Sequence, residues 1–109
     1  MLLPENGQLL RIYLADSDHY KGKPLYEWIV NKAREMQLAG ATVLRGHYGY
    51  GRASVIHSAK IMRLSEDLPL VIEIVDIQEK IKAFIPVVEQ VLKGGLITVE
   101  NVQIRLYQN

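Results

Sequence analysis

The chain contains no cysteine, which removes disulfides, thiolate metal sites and thiol nucleophiles together. Long hydrophobic runs are also missing. No stretch approaches the roughly 18 apolar residues of a membrane span, and the opening Met1 to Gly7 lacks the basic segment and apolar core of a leader. An excess of one charge sign is absent too: 13 Lys plus Arg against 12 Asp plus Glu leave a net charge of +1. Such a balance gives no whole-molecule field to draw the chain onto nucleic acid or a membrane, so charge recognition must be local. The expectation is one cytoplasmic domain over residues 1–109, large enough to bury a core without metal or disulfide.

Motifs for enzyme chemistry are equally scarce. His19, His47 and His57 fall in separate segments, and no HExxH pair occurs. Ser54 and Ser58 flank His57, but no orienting acid or oxyanion site accompanies them. The glycines at 46, 49 and 51 are not in Rossmann order, and no Gly-Lys-Ser or Gly-Lys-Thr appears. No catalytic residue or metal ligand is assigned, and no enzymatic activity is expected.

What the chain does have is periodicity. Gln8 to Ala15 alternates with period two, as a strand does. After a polar loop over 16–23, Pro24 suits a first helical turn, and Leu25, Trp28, Ile29, Ala33 and Met36 gather on one helix face, with Gly40 as the stop. β-Branched and aromatic residues return from Thr42 to Gly51, where Gly46 and Gly49 predict a bend or bulge. A long connection over 52–67 leads to an internal strand from Leu68 to Val75. Asp76 and Glu79 resemble a capping box ahead of a helix carrying Ile77, Ile81, Phe84, Ile85, Val88 and Leu92. Pro86 interrupts its hydrogen bonding, and Gly94-Gly95 stops it. A fourth strand, Ile97 to Tyr107, closes the chain.

The order βαββαβ predicts an α+β fold: a ferredoxin-like sandwich with a four-stranded antiparallel sheet and two helices on one face. The opposite face would then carry Arg11, Tyr13, Val71, Glu73, Val75, Arg105 and Tyr107. That mixture is too apolar for open water and too charged for a core, which suits a subunit interface.

The unusual segment is Gly46-His47-Tyr48-Gly49-Tyr50-Gly51-Arg52. Glycine backbone can approach a ligand closely, and its amides, aided by Arg52, Lys60 or Arg63, suit phosphate oxygens. The same glycines also serve simply to bend a strand. Residues 52–63 hold Arg52, His57, Lys60 and Arg63 with no acid among them, the one local basic excess. Lys93, Gly94 and Gly95 read first as a helix stop, and Arg105 as either an interface ion pair or a ligand contact.

Gly22-Lys23-Pro24-Leu25-Tyr26, the run Ala39 to Gly46 and Leu64-Ser65-Glu66-Asp67-Leu68-Pro69 resemble the bacterial PII-like family called domain of unknown function 190. Gly49-Tyr50-Gly51-Arg52 and the run Leu68 to Val75 resemble, more distantly, the PII signal-transduction proteins. That resemblance implies a homotrimer whose inter-subunit clefts bind ATP or ADP as an effector, and a T-loop that reports occupancy to an enzyme or membrane transporter. It gives Gly49, Gly51 and Arg52 the place of the strand end before the T-loop, and Lys93, Gly94 and Gly95 that of a phosphate loop. Ile104-Arg105-Leu106 is similar to part of the final-strand Ile-Arg-Ile-Arg pattern, which gives Arg105 a phosphate role; Tyr107 stands where the next arginine would be. The site implied is thus Gly49, Gly51, Arg52, Lys93, Gly94, Gly95 and Arg105, with the 52–64 loop as reporter. Two alternatives belong to other classes: a CutA-like metal-binding trimer, and a ligand-free structural or adaptor oligomer.

Overall fold

The structure, a computed structural model, describes residues 6–50, the backbone of 56–58, and residues 68–105. In chain order these form β1 (Asn6–Ala15), β2 (His19–Tyr20), β3 (Lys23–Pro24), α1 (Leu25–Glu35), β4 (Thr42–Arg45) and β5 (Tyr48–Tyr50). After them come β6 (Ile56–Ser58), β7 (Pro69–Asp76), α2 (Gln78–Glu89) and β8 (Leu96–Gln103). The main sheet has the order β4-β7-β1-β8 with every neighbour antiparallel, which is the ferredoxin-like arrangement.

β1 is central because its two faces differ in kind. Leu10, Ile12 and Leu14 are buried against the helices, opposite Ile74, Ile72 and Leu70 of β7. Leu25, Ile29 and Ala33, four residues apart on α1, and Ile81, Phe84 and Val88 on α2 close the same core, so both helices cover one face. Phe84, Ile12, Ile29 and Ile72 are fully buried. Beside the core, Trp28 of α1 meets Tyr20 of the β2–β3 hairpin edge-on, with centroids 5.1 Å apart.

The ends of the elements depart from the expected ones for clear reasons. α1 stops at Met36, before Gly40, because Gln37 takes the left-handed conformation at φ 62°. The Leu38 amide then donates to Ala33 and that of Gln37 to Arg34, both 3.0 Å, a Schellman closure with buried Leu38 as its apolar contact. Asp76 does not cap α2. The cap residue is Ile77, without a side-chain bond, whereas the Asp76 carboxylate is fully buried. It accepts from the amide of Ile77 at 2.7 Å and from that of Ala39 at 2.8 Å. It thereby ties the α1–β4 connection to the start of α2. α2 runs through Pro86 without interruption and ends at Glu89; Gly94, at φ 80°, makes the turn into β8. Gly95 is required by close approach, since a methyl there would meet the Tyr13 carbonyl and Leu92.

The segment expected as one strand from Thr42 to Gly51 is two. β4 pairs with β7, and after Gly46 the chain leaves the sheet so that β5 pairs with β6 in a separate ribbon. Glycine suits the departure, because a side chain at Gly46 would press on the Pro69 ring at 3.0 Å. The polar loop after β1 likewise holds a small hairpin, turned by Lys21 and Gly22 at φ 51° and 79°. Among the described residues no helix is long and apolar enough to cross a membrane.

Candidate functional site

One end of the sheet collects most of the residues singled out above. The C-terminal ends of β1 and β4 and the N-terminal ends of β7 and β8 all lie there. The corner between β4 and β7 is tightly built. The Gly46 amide donates to the Pro69 carbonyl and that of Asp16 to Leu68, both at 2.8 Å, while Arg45 Nη2 meets Asp16 Oδ1 at 3.1 Å. Asp18 accepts from the Ala15 amide at 3.0 Å, and its own carbonyl accepts from Leu25 at the start of α1. Both loop carboxylates are thus committed inside the fold. Lys23 and Lys93, exposed at this same end, have no carboxylate partner among the described residues.

Gly49 lies on β5, just beyond that corner. A methyl there would make only ordinary contact with Pro69, at 3.6 Å, and its φ is not positive. Nothing in the described fold therefore requires glycine at 49. Gly51 and Arg52, and Lys60 and Arg63 with them, lie outside the described residues. Lys93, Gly94 and Gly95 sit ahead of β8, at the same end as Gly49 but on the opposite edge of the sheet. Three strand spacings, roughly 14 Å, separate the edges.

Arg105 is not in this group. β8 pairs Gln103 with Asn6 and ends there, so Arg105 follows at the far end of the sheet. The eight residues of β8 put roughly 25 Å between Arg105 and the Lys93–Gly95 turn. Within β8 itself Arg11 pairs with Thr98, so Leu96, Thr98 and Glu100 share the helix-free face with Arg11, whereas Arg105 follows the paired strand. Tyr107 lies outside the described residues.

The helix-free face carries Leu9, Arg11 and Tyr13 of β1, Val71, Glu73 and Val75 of β7, Leu44 of β4 and Leu96 of β8. Leu44 and Leu96 are about half exposed, at 48% and 50%. At the centre Arg11 Nε bonds Glu73 at 2.9 Å and Nη1 bonds Glu100 at 2.6 Å. These bonds, that of Glu73 first, hold the arginine pKa above its ordinary value. Its charge is therefore present across any working pH.

Sequence reading missed the Asp16–Arg45 pair, because the two residues meet only when β1 and β4 end at the same end of the sheet, one on either side of β7. The β2–β3 hairpin that carries Lys23 was read as a polar loop, because its strands are too short for strand periodicity. Among the described residues no group of three His, Cys, Asp or Glu could hold a metal ion, and His19 Nδ1 lies 2.6 Å from the Ser17 carbonyl.

Comparison with known proteins places the chain. Residues 7–104 match the family model of domain of unknown function 190, described as Uncharacterized ACR, COG1993. A UPF0166 protein of Aquifex aeolicus is 41% identical over 100 residues, covering 89% of this chain and 91% of that protein. A UPF0166 protein of Methanocaldococcus jannaschii is 38% identical over 94 residues, covering 85% and 86%. A second Aquifex aeolicus UPF0166 protein is 35% identical over 96 residues, covering 88% and 94%. Matches that span both partners nearly end to end concern the whole ferredoxin-like unit, and the chain belongs to the domain of unknown function 190 family.

Proposed function

We propose that this protein is a PII-like regulatory protein that binds an adenine nucleotide, ATP or ADP, between the subunits of a homotrimer. The 52–64 loop reports the bound state to a target enzyme or membrane transporter. The observation that carries this reading is the composition of one sheet end, where Gly46 and Gly49 on one edge and Lys93 on the other lie at the same end as the loop that carries Lys21 and Lys23. Backbone amides and cations together suit phosphate. A glycine at 49 that the fold does not need supports the same idea, since close approach of a ligand is a reason for it.

The separation of Arg105 from the glycine segment supports a site shared between subunits. Residues at opposite ends of a protomer serve one ligand only when a neighbour supplies one of them. Subunit mixing tests this directly. Arg52→Ala and Arg105→Ala are each expected to lose nucleotide binding with little change in stability. Oligomers re-formed from a mixture of the two variants should regain a fraction of sites in which both arginines are intact. Absence of any recovery, with mixing verified by mass, would remove the shared site. Undiminished binding by both separate variants would remove these arginines from it.

A further inference from the structure

The far end of the sheet holds an open cleft of about 480 Å³ at the start of α2, within the size range of small-molecule sites. Asn6 and Gln8 of β1, Asn101 of β8 and Gln78 of α2 contribute four carboxamides to its lining, and Glu79 adds a carboxylate. Among the described residues no lysine or arginine lines it. A phosphate or carboxylate would meet Glu79 with no cation to offset the repulsion, so the chemistry favours an uncharged occupant.

The carboxamides are also oriented. Gln8 Nε2 donates to Asn101 Oδ1 at 3.2 Å, and the Gln8 carbonyl oxygen and the Asn101 amide hydrogens take no part in that bond, each sitting beside the other polar atom of its own carboxamide. An acceptor next to a donor complements a flat ligand edge that offers a donor next to an acceptor, as asparagine and glutamine do when they read adenine through its N6 and N7. Gln78 and Asn6 repeat the same functional group around the cleft. We propose that this cleft is a second ligand site, taking an uncharged nucleobase or nucleoside by its hydrogen-bonding edge. Within one protomer it lies at the opposite end of the sheet from Gly46 and Gly49, at the end that Arg105 follows, and its lining argument uses no anion contact.

The test uses the full chain with adenosine as the probe, followed by amide shifts in nuclear magnetic resonance. Saturable shifts at Gly7, Gln8, Gln78 and Asn101 are expected. 7-Deazaadenosine, which lacks the N7 acceptor, should bind at least tenfold more weakly, as should adenosine to Asn101→Leu. Gln78→Leu serves as a second variant should the first lose its fold. ATP binding at the glycine end should be the same in wild type and variants, so that failure of one site is distinguishable from failure of the other. No shift at these residues with adenosine near 1 mM, corresponding to about −4 kcal/mol, would overturn the proposal. So would equal affinity for 7-deazaadenosine, or shifts confined to the glycine-rich end.

Discussion

Asp76 shows how much one side chain does beyond its place in a motif. In the sequence it stands three residues before Glu79 and invites a capping role; in the fold it is buried in full and bonded to amides from two different segments. Removing the carboxylate strands both donors away from water. Asp76→Ala is therefore expected to lower stability by roughly 2–4 kcal/mol in urea unfolding, whereas Asp76→Asn, which keeps one acceptor, should lose less. The reason this was illegible is physical: Ala39 is 37 residues away, and a local pattern carries no information about a partner brought by the tertiary fold.

At the scale of elements, the periodic segments were legible because burial imposes the period. Leu10, Ile12 and Leu14 alternate as the strand pattern predicts, and Leu25, Ile29 and Ala33 follow the helical one. Terminations were less legible, since several residues can adopt the backbone that ends a helix. Gln37 does so at φ 62° where Gly40 was expected to act. Gln37→Gly should consequently raise the unfolding midpoint, with a gain of about 1 kcal/mol, because glycine carries no penalty in that conformation. A lower midpoint would mean that the Gln37 side chain contributes more than its backbone costs. The break between β4 and β5 was half legible: Gly46 and Gly49 marked a bend, yet nothing local revealed that β5 leaves the sheet to pair with β6.

For the whole molecule, topology decides which candidate residues can act together. Gly46 and Lys93 to Gly95 share one end of the sheet, a fact fixed by antiparallel pairing rather than by any spacing in the sequence. Arg105 falls at the other end, so a ligand that uses all of them needs more than one copy of the chain. The helix-free face fits that requirement. Leu9, Tyr13, Val71, Val75, Leu44 and Leu96 surround Arg11, which is bonded to both Glu73 and Glu100; the apolar residues suit a subunit contact, while burying the three charges there carries a desolvation cost. The measurement that tests the account most directly is calorimetric titration of the purified protein with ATP, ADP, AMP and cyclic dinucleotides, with mass by light scattering on the same sample. The account predicts a trimer that binds ATP or ADP saturably, near one ligand per subunit. A well-folded monomer, or an oligomer that binds none of these ligands, would contradict it.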